Sequence, residues 1–118
     1  MWSIKYSAEA RDELLRLDKE VQLQVLTGIK KVSANPLPHP NGYGKPLGNR
    51  RGKNLTGFFK IKYKGIGIRA VYSLASGESV MNILVISKRD DDYCYLLAAK
   101  LYDKYGDGVF EDKFLGTE

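Results

Sequence analysis

The chain opens on alternation: Trp2, Ile4 and Tyr6 are apolar while Ser3 and Lys5 are polar, the period of a half-buried strand. Ser7 then offers an N-cap, and Ala10, Leu14 and Leu17 recur at helical spacing, which predicts a helix from Ala8 to Leu17. Asp18 predicts a second cap, ahead of a helix carrying Val21, Val25, Ile29 and Val32 on one face. The expectation is an N-terminal strand followed by a two-helix hairpin. Pro36, Pro38, Pro40 and Gly42 end this region. From there to about Gly57 the chain is too long and polar for a plain connector, which predicts a loop that binds something or stays mobile.

Period two then returns. Phe58 to Lys64 and Gly67 to Leu74 predict two strands of a hairpin joined across Gly65. Alternation sends Phe59, Ile61 and Tyr63 one way and Lys60, Lys62 and Lys64 the other. In the next strand Ile68, Ala70, Tyr72 and Leu74 oppose Arg69, Val71 and Ser73, so Lys60, Lys62 and Arg69 can share one sheet face. Val80 to Ile86 is apolar on both sides, as a central strand covered by helices is. Asp90, Asp91 and Asp92 would cap and favourably charge a last helix that runs to about Tyr105, with Leu97, Leu101 and Tyr102 inward. Gly106 and Gly108 stop it and leave a tail over about 106–118, in which Phe110 and Phe114 could dock on the domain or touch a partner. The predicted class is α+β: a small single domain over 1–118 with a mainly antiparallel sheet, in the order strand, two helices, three strands, helix.

Composition sharpens the picture. At 118 residues the chain is long enough to bury a core without staples. The net charge of +5 and a pI near 9.3 favour polyanionic partners. No carboxylate lies between Glu20 and Glu78, whereas Lys30, Lys31, Lys45, Arg50, Arg51, Lys53, Lys60, Lys62, Lys64 and Arg69 all do. From Asp90 onward eight carboxylates face three lysines, so the positive field is concentrated mid-chain and implies a functional face. One cysteine and one histidine are too few for a disulfide framework or a usual zinc site; no metal or cofactor is expected. There is no apolar signal core and no run long enough to cross a bilayer, so the expected setting is the cytoplasm, away from the membrane. His39 has no orienting partner in the sequence and reads as a loop residue; Cys94 sits beside three aspartates that oppose thiolate formation and reads as structural.

A cationic set at strand spacing suits phosphate chemistry, because preorganised Lys and Arg side chains stabilise the charge gathered on a transferring phosphoryl group without histidine or metal. Taken alone, the same lysines could be a solvated or edge-protecting face, Arg89 could pair with Asp90 to Asp92, and Tyr95 could be a core residue of the last helix.

The pattern resembles the RelE/ParE superfamily of toxins from bacterial toxin–antitoxin pairs. The resemblance runs from about Trp2 to Tyr105 and rests on three stretches: Lys45-Pro46-Leu47 leading to Leu55-Thr56-Gly57-Phe58-Phe59-Lys60-Ile61-Lys62, then Ile68-Arg69-Ala70-Val71-Tyr72, then Ile86-Ser87-Lys88-Arg89 followed by Tyr95. Members of the RelE type are ribosome-dependent endoribonucleases that cut mRNA, and the resemblance implies that activity, with Lys60, Lys62, Arg69, Arg89 and Tyr95 in the catalytic positions. The ParE type, similar in fold, inhibits DNA gyrase and is not expected to need the complete set. Gyrase inhibition and an inactive family member are the alternatives.

In the implied reaction the 2′-hydroxyl attacks the adjacent phosphorus, the 5′-oxygen leaves and a 2′,3′-cyclic phosphate forms. Lys62 or Lys60 is the candidate base, and packing cations together is expected to lower one lysine's pKa by roughly two. Arg69 and Arg89 would clamp the phosphate, Arg89 on the leaving side; Tyr95 could stack on a base or help protonate the leaving group. Lys45, Arg50, Arg51, Lys53, Lys64 and Lys88 are candidates for docking on messenger or ribosomal RNA. A cognate antitoxin is the expected protein partner, an acidic or amphipathic segment wrapping the basic surface and the helices.

Overall fold

Ser7 ends the first strand and starts the first helix. Its Oγ accepts a hydrogen bond from the Ala10 amide at 2.9 Å and donates to the Leu84 carbonyl at 2.8 Å, so one buried hydroxyl caps the helix and fixes it to the sheet. In this computed structural model, which describes residues 1–50, 53–75, 77, 79–88 and 90–111, with 48–50, 53–54 and 91 by backbone alone, β1 (Ser3–Tyr6) passes directly into α1 (Ala8–Arg16). α2 (Lys19–Ser33) follows. Asp18 stands at its N-cap as expected, but its side chain makes no capping bond. Gln22 ties the helix start to the preceding residues instead, its Nε2 donating to the Leu17 carbonyl at 2.8 Å and its amide to Asp18 O.

The remaining elements are β2 (Lys45–Arg50), β3 (Lys53–Tyr63), β4 (Ile68–Ala75), β5 (Val80–Ser87), α3 (Asp91–Tyr105) and a 3-10 turn over Gly106–Phe110. They form one five-stranded sheet in the order β1-β5-β4-β3-β2, with β1 parallel to β5 and every other pairing antiparallel. The α+β class and the mainly antiparallel sheet are as the sequence predicts. The expected loop up to Gly57 is not: its second half is β2 and the first part of β3. Pro46 is tolerated because β2 is the sheet edge, where a missing amide donor breaks no second ladder.

Two irregularities set which side chains reach which face. Pro46 pairs with Phe59 and Gly48 with Leu55, so β3 carries extra residues around Gly57, whose φ of +92° suits glycine and against which the Phe110 ring packs. Likewise Val71 pairs with Val85 but Tyr72 with Ile83, leaving Leu84 as a bulge. The neighbours Leu84 and Val85 therefore both face α3, while Ile83 and Ile86 face the other side.

The sheet is thus covered twice. α1 and α2 place Ala10, Leu14, Leu17, Val25, Ile29 and Val32 on Phe59, Ile68, Ala70, Tyr72, Met81 and Ile83. α3 and the 3-10 turn cover the opposite face, where Cys94, Tyr95, Ala98 and Val109 meet Leu55, Phe58, Val71 and Val85. Asp90 caps α3, accepting from the Tyr93 amide at 2.9 Å. The start of the expected tail is structured: Val109 is fully buried and Phe110 packs on Phe58, whereas Phe114 lies outside the described residues. No helix among the described residues is long and apolar enough to cross a membrane.

Candidate functional site

Sheet register builds the site. Lys45 pairs with Lys60, Lys62 with Arg69, and Arg69 in turn with Ser87 at the end of β5. Residues directly opposite share a face, and Lys60 and Lys62 are two apart, so Lys45, Lys60, Lys62 and Arg69 project to the same side. That is the side covered by α3, where Lys62 is exposed and Lys60 and Arg69 are half-buried.

α3 contributes Tyr95. Its ring is buried, 6% exposed, among the apolar residues of that face, and its hydroxyl accepts a hydrogen bond from Lys60 Nζ at 3.1 Å. The ammonium lies 5.7 Å from the ring centroid, nearly what a contact reached straight through the hydroxyl gives. The nitrogen therefore sits beyond the oxygen rather than over the aromatic face, and the interaction is a hydrogen bond, not a cation–π contact. A nucleobase has no open ring face to stack on at Tyr95 in this arrangement. What the tyrosine does is hold one lysine of the pair.

The other sequence candidates divide by position. Lys88 is exposed just past β5, on the side where Ser87 meets Arg69. Lys64 is exposed in the turn between β3 and β4, beyond the strand. The backbones of Arg50 and Lys53 pair where β2 returns into β3, some way along the sheet from Lys60. Arg51 and Arg89 lie outside the described residues. His39 is exposed in the loop before β2, and Cys94 is buried against the sheet.

The sequence did not single out a second feature beside the lysines. β2 begins at the Lys45–Lys60 pair, so Ile61 to Tyr63 run on past it, and around this length of β3 lies a cleft of about 330 Å³. Gly28, Lys31 and Val32 of α2 form one wall, Tyr43 and Lys45 another, and Lys60 to Tyr63 the third. Tyr63 closes its base: the hydroxyl donates to the Val25 carbonyl at 2.7 Å, and burial holds the phenol well above its ordinary pKa. Gly28 is required there, because a Cβ would come within 2.4 Å of the Tyr63 ring. The only sequence signal for this cleft is Lys31 in the last turn of α2, which by itself reads as a helix-dipole partner.

No protein-family model matches the chain. It is 27% identical over 99 residues to an Escherichia coli protein named for its likeness to the RelE toxin, a match that covers 84% of this chain and 95% of the relative. Among solved structures, a doubly substituted Escherichia coli RelE toxin in the free state is similar with a TM-score of 0.65 at 20% identity, over 85% of this chain and 96% of that one. The RelBE2 toxin–antitoxin complex of Mycobacterium tuberculosis is similar with a TM-score of 0.59 at 24% identity, over 75% of this chain and 98% of that one. The strand order and the sequence match point the same way: the fold is that of the RelE toxin structures, and the chain is similar in sequence to a RelE-like toxin.

Proposed function

We propose that this chain is the toxin of a toxin–antitoxin pair and acts in the cytoplasm as a metal-independent endoribonuclease on mRNA held in the ribosome. The observation that carries the reading is the shared face of Lys60, Lys62 and Arg69, with Lys60 held by the buried Tyr95. Such a face binds a phosphodiester as a dianion-like transition state better than as the singly charged ground state, because fixed cations gain as charge develops.

The reaction needs a base, an acid and phosphate ligands. One of Lys60 and Lys62 takes the 2′-hydroxyl proton as that oxygen attacks phosphorus. The bond to the 5′-oxygen breaks, a 2′,3′-cyclic phosphate forms, and the leaving oxygen collects a proton from a cationic side chain. Arg69, directly across from Lys62, serves the non-bridging oxygens through its fork of donors. Arg89 is assigned to the leaving side from its place in the chain after β5. Tyr95 positions Lys60.

The toxin–antitoxin complexes among the similar structures support an antitoxin partner. An acidic segment complements the basic face. Beyond the end of β1, the β5 edge from Leu84 to Ile86 also lies in a groove between α1 and α3, with Leu97 and Leu101 in its lining, which gives an amphipathic segment a place for its apolar side.

The test is brief induction of the wild type and of Lys62→Ala and Arg69→Ala in bacteria, with genome-wide mapping of new RNA 5′ ends alongside a plasmid supercoiling gel. Cuts within translated codons that vanish in both variants are the expected result. Altered supercoiling without cuts would move the chain to gyrase inhibition, and neither effect would make it an inactive relative.

A further inference from the structure

We infer that the cleft beside β3 is a binding subsite for one nucleotide of single-stranded RNA next to the cleaved bond, with Tyr43 as the platform for its base and Lys31 and Lys45 as ligands for its phosphate. This rests on the RNA-cleavage reading above and adds a substrate contact to it.

Tyr43 is an aromatic side chain left 51% exposed at the mouth of the cleft. An isolated exposed ring is ordinary. This one is held in place. Its amide donates to the Asn35 carbonyl at 2.9 Å, the next amide, of Gly44, donates to Leu37 O at 2.9 Å, and Asn35 Nδ2 donates to Asn41 O at 2.8 Å. The buried Tyr72 hydroxyl anchors the same loop to the sheet through the Pro36 carbonyl at 2.9 Å. Gly42 and Gly44 let the backbone close this tightly, since a Cβ on either would meet a carbonyl oxygen at 2.5 to 2.8 Å. A ring presented by a fixed loop loses little entropy when a base stacks on it.

Charge follows the ring. Lys31 Nζ lies 5.7 Å from the Tyr43 ring centroid, and Lys45, Lys60 and Lys62 line the same cleft. Lys45 sits directly opposite Lys60 in the sheet, so a phosphate on Lys60 and Lys62 is one strand away from Lys45. An aromatic platform beside a row of cations is the arrangement that binds single-stranded nucleic acid without reading its sequence. The volume, about 330 Å³, lies within the range of small-ligand pockets, so it has room for a single nucleoside. The apolar wall of Val32, Ile61 and the Tyr63 ring suits the edge of a base rather than a second phosphate.

The experiment uses the intact protein and a fluorescein-labelled 2′-O-methyl RNA tetramer, which lacks the attacking hydroxyl and cannot be cut by the proposed reaction. Binding is followed by anisotropy across a salt series. Tyr43→Ala should weaken binding about tenfold or more with the salt slope unchanged, and Tyr43→Trp should restore it. Lys31→Gln should flatten the logarithmic salt slope by about 0.7, the loss of one single-strand phosphate contact. Folding of each variant is checked by circular dichroism; the half-exposed Tyr43 side chain gives Tyr43→Ala little core to lose. If Tyr43→Ala binds the tetramer as the wild type does, or the wild type binds no RNA, the subsite is refuted. A wild type that binds in a Tyr43-dependent way yet cuts no mRNA upholds the subsite and removes the cleavage reading, so the two failures are separate.

Discussion

Lys60 on β3 donates a hydrogen bond of 3.1 Å to the hydroxyl of Tyr95 on α3, and that tyrosine is buried. The helix therefore brings the Tyr95 hydroxyl to the basic face, where it meets one lysine. Tyr95→Phe keeps the packed ring and removes the oxygen. The expected result is a melting temperature within a few degrees of the wild type and single-turnover cleavage lowered about 10- to 100-fold, the equivalent of one charge-assisted hydrogen bond of about 1.5–3 kcal/mol. Tyr95→Ala should instead lose stability by about 3–5 kcal/mol, as large buried rings do. Full cleavage by Tyr95→Phe would show that the hydroxyl plays no part.

Gly28 should not tolerate a side chain. On helix propensity alone Gly28→Ala would stabilise α2 by about 1 kcal/mol, since glycine is the poorer helix former. Against this, the added Cβ meets two ring carbons and the hydroxyl oxygen of Tyr63 at 2.4 to 2.9 Å, and Tyr63 is tied to the Val25 carbonyl and cannot swing aside without breaking that bond. Overpacking of this kind costs about 1–3 kcal/mol, so steric conflict exceeds propensity. Chemical denaturation of Gly28→Ala should show a net loss. Pairing it with Tyr63→Leu, which vacates the space, should recover part of that loss; a stabilised single variant would mean that the ring moves freely.

These examples separate what the residues declare from what only the fold supplies. The helix starts at Ser7 and Asp90, the inward face of α2 and the alternation of Phe59, Ile61 and Tyr63 against Lys60 and Lys62 are local patterns, and the structure repeats them. β2 is different. Lys45-Pro46-Leu47-Gly48-Asn49-Arg50 has no alternation, a proline and a glycine, so nothing local marks a strand. It is extended because β3 is there to pair with. The position of Lys45 against Lys60 depends on that pairing and on the irregularity at Gly57, neither of which has a sequence period. The Tyr43 cleft joins α2, a loop and a strand edge, and no spacing in one dimension encodes such a meeting. The turn after Tyr105 was hidden in the same way, because its anchors, Ser73 and Asn82, lie in strands where they read only as interruptions of apolar runs.

That turn gives a further prediction. Asn82 Nδ2 donates to the carbonyls of Val109 at 3.0 Å and Glu111 at 3.1 Å, Ser73 Oγ donates to the same Val109 carbonyl, and Phe110 packs between Phe58 and Tyr102. All of this rests on the α3 face. Asn82→Ala should lower stability by about 1–3 kcal/mol through the loss of two hydrogen bonds, while the Val109 carbonyl keeps the one from Ser73. A chain ending at Tyr105 should lose more, because Val109 and Phe110 go with it and uncover Phe58. Differential scanning calorimetry of the two variants and the full chain measures the order. Equal melting temperatures for the full chain and the one ending at Tyr105 would show that the turn contributes nothing to the fold.

Alkaline pH should unfold the domain through its buried phenols. Tyr72 is fully buried with its hydroxyl donating to Pro36 O, and Tyr63 donates to Val25 O; in both, burial raises the pKa well above the ordinary value near 10. The unfolded chain therefore releases these protons at lower pH than the native one does. The stability contributed by the two neutral phenols is complete below about pH 10 and declines as pH rises from there toward the native pKa values. Urea midpoints measured from pH 8 to 11.5 should be flat at first and then fall. Tyr72→Phe separates the terms: it loses the bond to Pro36 at neutral pH and is less stable there, but its midpoint should fall less steeply above pH 10. A decline as steep as the wild type's would assign the alkaline transition to other groups.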